Sequence, residues 1–574
     1  MLGSRPEYEV RLLHDQRVPA RDGISLSADV YLPRSAGPFP VVYQWTPYES
    51  TRDRFIAWGV WFARRGYAAV VQDVRGRYES EGRFYPYMQE GPDAVDSLDW
   101  AARQPWCNGR IGTWGRSYGA IAQWQLARLG HPNLTCMAPH VIMDDYFSDC
   151  HYVGGAFQLA LSLGAALIWS TTIGTVTFET AAATVLNSRL FRHLPLIDID
   201  REAIGREIGF WRDWLQHQTY DDYWRSISHA ASYDRVRVPV FQQGGWYDAY
   251  AGAHFRMHMG LVEGAATEVA PRRQKLLIGP WSHEEEVSPV VGDLDFGPGA
   301  ARFIRADELR WYDQWLKDID TGVLDEPPIS LFVMGRNEWR REREWPLPRT
   351  EFTQFFLHSL GRANTLDGNG LLSPEPPTGE PADRYVYDPA DPVPTVGGNN
   401  SILTMLQHAD RPVVPGPLDQ RPIERRDDVL CYTSAPLEKD LEVTGPVEMV
   451  LYAASSALDA DFIVRISDVQ PGGRACFLTE GIIRARYRRG EDHQELLELG
   501  QVECYRIRCY PTSKVFFKGH RIRLDVTSSS FPRFSRNLNT GEDVATGTRM
   551  EVANQTVLHT SEHPSHVVLP VVPA

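Results

Sequence analysis

Long apolar runs are missing from this chain of 574 residues. A membrane-spanning helix needs about 20 consecutive apolar residues, and no window of the sequence reaches that length. The closest stretch, residues 156–177, is interrupted by glycine, serine and threonine, so we expect a buried or pocket-lining helix there. The first 21 residues also have no apolar core of signal-peptide length. We therefore predict a cytoplasmic protein without a membrane partner.

Cysteine is scarce, and its spacing points to no particular chemistry. The seven cysteines form no C-x-x-C pair, and an odd, scattered set is typical of reduced buried thiols. The sequence also contains no metal-ligand spacing, dinucleotide fingerprint or phosphate loop. We expect neither a metal nor a cofactor.

Clustered positive charge is absent as well. The formal net charge is -15, and the lysines and arginines are scattered along the chain. This distribution argues against nucleic acid as a partner. The composition, with 43% hydrophobic and 23% charged residues, is that of a globular protein, and the length suggests two to four domains.

The first 144 residues alternate short apolar runs with helical patterns. Such alternation predicts a mostly parallel sheet covered by helices on both sides. Residues 145–240 lose the strand pattern and carry aromatic-rich, helix-length stretches, which indicate a helical insertion. Insertions at this place in an α/β sheet often form lids, and we favour a cap over a plain structural excursion.

The strand pattern returns in residues 241–348, where a helix at 303–317 is expected to close the α/β domain. The proline-rich passage 327–348 is interpreted as a domain junction. From 349 to 574, short β runs alternate with Gly, Pro, Asp and Asn turns, which predicts an all-β sandwich or barrel.

The sequence G-x-S-x-G at residues 115–119 is the strongest chemical signal in the chain. In a nucleophile elbow, the serine stands on a sharp turn between a strand and a helix, and the flanking glycines allow close packing. An apolar run precedes Ser117 and a helical pattern follows it. The context favours a nucleophile over a turn that contains serine by chance.

A serine nucleophile needs a base, and the base needs a carboxylate to orient it. Asp248 follows the strand pattern that ends near residue 243, and His283 follows the pattern that ends at residue 278. The chain order Ser, Asp, His is that of α/β-hydrolases. We expect both side chains at the sheet edge where Ser117 emerges, with His283 after the last strand.

Other residues compete for these roles. Asp144 and Asp145 are alternative acids, which could also cap a helix or form a hinge contact, and His140, His254 and His258 are alternative bases. None of these three histidines follows the predicted last strand of the sheet.

The oxyanion of the reaction needs two hydrogen-bond donors. The amide of Tyr118, directly after the nucleophile, is the expected first donor. The phenol of Tyr48, in the loop after an early strand, is the expected second one. The alternative is that Tyr48 only packs against Pro47.

The chain resembles the cocaine-esterase-like serine hydrolases, whose relatives include α-amino-acid ester hydrolases, glutaryl-cephalosporin acylases and X-prolyl dipeptidyl peptidases. The resemblance covers nearly the whole chain. The matching stretches are residues 46–48 (TPY), 72–76 (QDVRG), 115–119 (GRSYG), 245–248 (GWYD), 279–283 (GPWSH), 331–335 (LFVMG), 345–348 (WPLP), 387–389 (YDP), 519–522 (GHRI) and 562–566 (EHPSH).

The resemblance implies an α/β-hydrolase domain, an inserted helical cap and a C-terminal jelly roll packed against both. It implies Ser117, Asp248 and His283 as the triad, with Tyr48 and the Tyr118 amide as oxyanion donors. It also implies an acyl pocket walled by aromatic residues of the other two domains.

The resemblance also implies that Trp169 and Tyr250 line this pocket, and His151 is a third candidate. Tyr250 replaces the phenylalanine expected two residues after the acid, and His151 stands about where a tryptophan of the cap is expected. These departures predict a pocket that differs from one shaped for a benzoyl group.

We expect a serine carboxylesterase that acts on a small-molecule ester. An amidase, acylase or X-prolyl dipeptidyl peptidase is the alternative within the family, although Gly119 and Ala120 offer no carboxylate for a substrate ammonium. A catalytically inert binding protein is the alternative from another class. The sequence leaves open whether the protein forms a homodimer.

Overall fold

The computed structural model describes residues 3–170, 188–264, 273–283, 287–400 and 414–573. Two large sheets dominate the described parts of the chain, one of ten strands and one of thirteen. The ten-stranded sheet belongs to an N-terminal α/β domain, and the thirteen-stranded sheet forms a C-terminal all-β domain.

The α/β sheet has the spatial order β1-β2-β4-β3-β5-β6-β7-β8-β9-β10. Its centre, from β4 to β9, is parallel, and its outer pairs are antiparallel. β3 and β4 are buried along their whole lengths, as expected for central strands covered on both faces. The strands are β1 Val10–Pro19, β2 Ser25–Pro33, β3 Phe39–Thr46, β4 Ala68–Asp73, β5 Cys107–Arg116, β6 Leu134–His140, β7 Phe241–Gly245, β8 Lys275–Gly279, β9 Ile329–Val333 and β10 Glu338–Glu342.

Helices flank this sheet and also occur in the described parts of the segment between β6 and β7. The stretch from 146 to 235, called the helical segment below, lies in this interval. The helices of the described residues are α1 Asp53–Ala63, α2 Glu90–Ala102, α3 Tyr118–Leu129, α4 Leu159–Ser170, α5 Ser188–Phe191, α6 Ile199–Ile204, α7 Gly209–Gln216, α8 Asp222–Ile227, α9 Ala251–Gly264, α10 Ile304–Leu316 and α11 Arg421–Glu424.

The described residues of the helical segment include a small exception to the predicted loss of strands. Tyr152–Val153 and Ala156–Phe157 form a two-stranded antiparallel pair. The expected helix at 156–177 begins at Leu159 and is described as far as Ser170, and the rest of that prediction lies outside the described residues.

The prediction that α10 closes the α/β domain, with the histidine after the last strand, was wrong. β9 adds to the sheet in parallel beside β8, and β10 pairs antiparallel with β9. The flanking prolines concealed an apolar run, Ile329–Val333, four of whose five residues are buried. The sheet therefore extends through most of the passage interpreted as a domain junction.

The all-β domain begins at β11 and continues almost to the end of the chain. Its main path has the order β13-β22-β16-β23-β11-β12-β14-β21-β17-β18, with β15 beside β20 and β23, and β19 beside β16. The strands are β11 Glu351–His358, β12 Leu371–Ser373, β13 Asp383–Tyr387, β14 Leu430–Ser434, β15 Leu441–Gly445, β16 Glu448–Ser455, β17 Asp461–Val469, β18 Ala475–Arg484, β19 Glu503–Arg508, β20 Thr512–Phe516, β21 Arg521–Thr527, β22 Ala553–Leu558 and β23 His566–Val572.

Two large apolar clusters connect these parts. One joins the first strands of the α/β sheet to the helical segment, and it also includes Tyr487 and Phe531 from the all-β domain. The other joins the late α/β strands to the interior of the all-β domain. Among the described residues, no helix is long and apolar enough to cross a membrane.

Candidate active site

Ser117 stands on the turn between β5 and α3 with backbone angles that few non-glycine residues adopt. Its φ is 52° and its ψ is −121°, as expected of a strained nucleophile elbow. Its amide donates a hydrogen bond of 2.9 Å to the carbonyl of His140, at the end of the neighbouring strand β6. Ser117 is half-buried.

The glycines on either side of Ser117 are required by close packing. A Cβ at Gly115, whose φ is +139°, would lie 2.8 Å from the carbonyl oxygen of Gly119. A Cβ at Gly119 would lie 3.2 Å from the carbonyl oxygen of Trp45 in β3. The G-x-S-x-G spacing is therefore what permits strand, turn and helix to pack this closely.

Sheet register brings the other predicted residues to the same edge. β3, β5, β6, β7 and β8 run parallel, and Gly245 at the end of β7 pairs with Gly279 at the end of β8. The loops that carry Tyr48, Asp248 and His283 leave these strands at their carboxyl ends, where Ser117 also emerges. Sites in α/β proteins form at this edge.

His283 and Asp248 form a direct, buried pair. Nδ1 of His283 lies 2.6 Å from one carboxylate oxygen of Asp248, and the other oxygen accepts a 2.8 Å bond from the Tyr250 amide. The side chain of Asp248 is fully buried and that of His283 nearly so. A carboxylate on Nδ1 leaves Nε2 to accept a proton, which is the arrangement a general base needs.

His140 links this pair to the elbow. Burial lowers the pKa of its imidazole well below the ordinary value, the positive charges of Arg116 and Arg305 lower it further, and the nearby His254 and His283 add to this effect when they carry a proton. His140 also accepts the Ser117 amide through its carbonyl. His283 and Ser117 thus share a neighbour at the sheet edge, and His140 itself stays uncharged.

Tyr118 begins α3, and its phenol donates a hydrogen bond to Glu90 at the start of α2. Burial raises the pKa of Glu90 to about 7, although the bond from Tyr118 lowers it. Burial, followed by the charge of Glu90, raises the pKa of Tyr118 well above its usual value. This partner could not be predicted from the sequence, since nothing in the pattern around residue 90 distinguishes Glu90 from other glutamates at helix starts.

Tyr48 lies half-buried just beyond β3. Its amide donates to Oγ1 of Thr46 at 3.0 Å, which fixes the turn after the strand. The guanidinium carbon of Arg54 lies 5.4 Å from the centre of its ring. The phenol is also close enough to Tyr118 to contribute to the raised pKa of that residue.

Two of the three predicted pocket residues lie against the proposed catalytic groups. The Trp169 ring on α4 meets the Tyr118 ring edge-on, with centroids 5.0 Å apart. The Tyr250 ring meets the His283 imidazole at 5.9 Å. Trp169 therefore packs on the side chain that follows Ser117, and Tyr250 packs on the predicted base.

The third predicted pocket residue, His151, lies behind Trp214, which in turn packs against Trp169. Its ring packs 4.1 Å from that of Trp214, and Nδ1 lies 2.9 Å from the hydroxyl of Ser162. Burial lowers its pKa to about 3, so this histidine is uncharged near neutral pH. It supports the aromatic residues behind Trp169.

The competing acids have other partners. Asp145 accepts bonds from the amides of Phe147 and Ser148 at 2.8 and 2.9 Å, and thereby caps a helical turn. Asp144 accepts a bond from the phenol of Tyr233 and lies 3.3 Å from Arg256.

The competing bases in α9, His254 and His258, have their pKa lowered to about 4, in each case mainly by burial. Among the predicted acid and base candidates, the carboxylate–imidazole pair at the carboxyl edge of the sheet is that of Asp248 and His283.

Comparisons with known proteins identify the family of the chain. Residues 22–285 match the model of the X-Pro dipeptidyl-peptidase (S15) family, and residues 321–568 match the X-Pro dipeptidyl-peptidase C-terminal non-catalytic domain. The chain is 38% identical to cocaine esterase of Rhodococcus sp. (strain MB1 Bresler), with 97% of each chain covered. It is 27% identical to a putative serine esterase of Mycobacterium bovis, with 92% of each covered.

Solved structures of related enzymes align with this chain over nearly its whole length. An α-amino acid ester hydrolase aligns with a TM-score of 0.84 at 25% identity, over 100% of this chain and 98% of that one. An aminopeptidase from a marine sediment archaeon of the Thaumarchaeota aligns with a TM-score of 0.84 at 26% identity, over 99% and 97%. The chain belongs to the cocaine-esterase family of serine hydrolases, as its sequence motifs predicted.

Proposed function

We propose that this protein is a carboxylesterase that hydrolyses small-molecule esters through an acyl-enzyme on Ser117. The hydroxyl of Ser117 attacks the ester carbonyl while His283 accepts its proton, and His283 returns that proton to the departing alcohol. Asp248 orients the imidazole and stabilises its cation. A water molecule activated by His283 then releases the acid and restores the serine.

The observation that carries this proposal is the 2.6 Å bond between Nδ1 of His283 and Asp248, at the sheet edge where the strained Ser117 turn emerges. The pair orients the free imidazole nitrogen, and the elbow exposes the hydroxyl. In the proposal, the negative charge that develops on the carbonyl oxygen is held by the Tyr118 amide at the start of α3 and by the Tyr48 phenol.

The site fits an uncharged substrate better than a cationic one. Trp169 and Tyr250 are apolar walls with neutral polar tips, and His151 behind them is uncharged. Glu90, which is bonded to the Tyr118 phenol at the start of the elbow helix, has its pKa raised to about 7 by burial. An ammonium group would therefore find weak compensation here, which favours an acyl or aryl ester.

We propose a division of the chain into three parts around the site. We assign residues 1–144 and 241–348 to an α/β-hydrolase domain, 145–240 to a helical cap and 349–574 to a jelly roll. Trp169 on α4 beside Tyr118 supports a cap that shapes the pocket. The cytoplasmic location predicted from the sequence stays a prediction, and the oligomeric state stays open.

Steady-state hydrolysis of a p-nitrophenyl ester tests the proposal. Ser117→Ala should lower kcat by at least ~10³-fold, because the nucleophile is removed while the binding surfaces remain. Ser148→Ala is a matched control, since Ser148 lies on the turn capped by Asp145, and it should keep activity near that of the wild type. Undiminished turnover by Ser117→Ala would rule out this mechanism.

The family models and the aminopeptidase structure favour a peptidase as the second candidate. A matched ester and amide of the same acyl group, together with an X-prolyl p-nitroanilide, separate the two functions. We expect kcat/KM for the ester to exceed that of either amide. A higher value for the prolyl anilide would assign the site to a peptidase.

A further inference from the structure

The loop that carries Asp248 is held from two sides. From one side, the loop of His283 accepts its amides: Trp246 donates to the carbonyl of Gly279 at 2.9 Å, and Tyr247 donates to that of Trp281 at 3.0 Å. These bonds fix the two loops relative to each other. Within the same segment, the amide of Ala251 donates to the carbonyl of Asp248 at 3.2 Å.

From the other side, the all-β part of the chain supplies a further donor, Asn399, which lies between β13 and β14. Its Nδ2 donates to the carbonyl of Trp246 at 2.7 Å and to that of Asp248 at 3.1 Å. Because both acceptors are carbonyl oxygens, only the amide nitrogen can face them, so the orientation of the side chain is fixed. Asn399 is fully buried.

The turn that carries Asn399 is anchored within its own domain. Gly398 and Gly416 exchange two backbone hydrogen bonds of 2.9 Å each. Gly397 and Gly398 have φ values of 66° and 90°, which favour glycine. The side chain of the next residue, Asn400, binds the carbonyl of Gly397 within the same turn. Asn399 therefore projects from a braced turn, and its two bonds cross to the α/β domain.

We propose that Asn399 is a positioning residue for catalysis, through which the C-terminal domain sets the location of the Asp248 carboxylate. The inference rests on the proposed role of Asp248. Each of the two donated bonds holds a carbonyl within two residues of the carboxylate, which in turn meets His283 at 2.6 Å. A family model describes this domain as non-catalytic, and the contact gives it a part in the reaction.

The expected effect is a loss of turnover with little loss of binding. Displacement of a catalytic group by about 1 Å costs on the order of 100-fold in rate. Asn399→Ala removes both donated bonds, so we expect kcat to fall ~10–100-fold. KM should change less than about threefold, because the two bonds hold backbone carbonyls of the acid loop, whereas the proposed pocket is bordered by the rings of Trp169 and Tyr250.

Asn400→Ala is the matched control. It deletes an asparagine from the same turn, and the side-chain hydrogen bond that it removes is the one to the carbonyl of Gly397 within that turn. Asn399→Asp is the second variant, because it preserves the shape of the side chain but places an acceptor where a donor is needed. Unfolding temperature and the fraction of enzyme labelled by a fluorophosphonate are measured for each variant, so that kcat is calculated per competent site.

The inference predicts that Asn399→Ala and Asn399→Asp both lose turnover per competent site and that Asn400→Ala does not. It is overturned if Asn399→Asp retains wild-type kcat, or if Asn400→Ala loses as much as Asn399→Ala. Asp248→Asn, assayed alongside, separates this result from the proposed function. If Asp248→Asn retains activity, both the proposed role of Asp248 and that of Asn399 are contradicted. If Asp248→Asn loses activity but Asn399→Ala keeps it, only the role of Asn399 is contradicted.

Discussion

The Tyr48 phenol is the residue whose proposed role depends most on a single atom. Tyr48→Phe removes only its hydroxyl, and a lost oxyanion donor typically costs ~2–4 kcal/mol of transition-state stabilisation, or roughly 30- to 1,000-fold in kcat. Steady-state kinetics with a p-nitrophenyl ester measures this effect, with KM expected to change little. An unchanged kcat would remove Tyr48 from the oxyanion site and favour simple packing in the turn after β3.

The buried Glu90 carboxyl makes stability depend on pH. Burial raises its pKa from 4.5 to about 7, so the folded protein keeps a proton that the unfolded chain releases. Stability from this group is complete below pH 4.5 and falls as the pH rises towards about 7. Relative to Glu90→Gln, which cannot ionise, the wild type should lose ~3 kcal/mol of unfolding free energy over that interval.

Denaturant unfolding of both proteins at pH 5 and pH 8 measures this difference. Tyr118→Phe is an informative companion, because its phenol lowers the pKa of Glu90 and its removal should extend the loss of stability to higher pH. A difference between wild type and Glu90→Gln that is constant with pH would show that Glu90 does not hold this proton.

The residues that could be predicted from the sequence are those tied to strand ends. Ser117, Asp248 and His283 each follow a recognisable apolar strand, and parallel strands bring their loops to one edge. Glu90 and Asn399 carry no such signal. Their partners are 28 and 151 residues distant along the chain, and only the folded structure brings them together.

At the scale of elements, the β5–turn–α3 unit depends on Gly115. Gly115→Ala would place a methyl group 2.8 Å from a backbone oxygen at a φ of +139°, where neither atom can easily move. Gly130→Ala is the control, because Gly130 at the end of α3 also has positive φ, at +75°, but nothing lies within 4 Å of its added Cβ.

We expect Gly130→Ala to cost only backbone strain, ~1–3 kcal/mol, with kcat preserved. Gly115→Ala should lower both the unfolding free energy and kcat, because relief of the clash must shift Ser117. Equal kcat values for the two variants would show that the elbow does not need the close approach of strand and helix.

Strands β9 and β10 were not predicted from the sequence, for a physical reason. Prolines precede β9 and follow β10, and proline-rich passages typically indicate loops or domain junctions. Ile329 and Leu331 are nevertheless fully buried beside β8. Burial against β8 stabilises the strand despite the turn-forming residues around it. The local sequence does not indicate which strand will lie beside it.

At the scale of the whole molecule, the two domains share a core. One apolar cluster contains Trp246, Ile278 and Phe332 from the α/β domain together with Leu430 and Val464 from the all-β domain. Backbone bonds also cross between the domains, for example from Val515 to Met334 at 2.8 Å. Neither domain can unfold without exposing apolar surface of the other.

We therefore expect calorimetry to record one cooperative unfolding transition for the chain. Two transitions, with the all-β part melting separately from the α/β part, would contradict a shared core of this kind. The proposed division into domains rests on shifts in sequence pattern. The extent of this interface could not be predicted from the sequence, since contacts between distant segments leave no periodic signal.

Direct detection of the acyl-enzyme tests the central claim most closely. A p-nitrophenyl ester is mixed with the protein, the reaction is quenched in acid within the first turnover, and the digested protein is mapped by mass spectrometry. We predict one acyl group per chain, on the peptide that contains Ser117, with its formation strongly slowed in His283→Ala. An acyl group on another residue, or turnover without any covalent intermediate, would contradict the account.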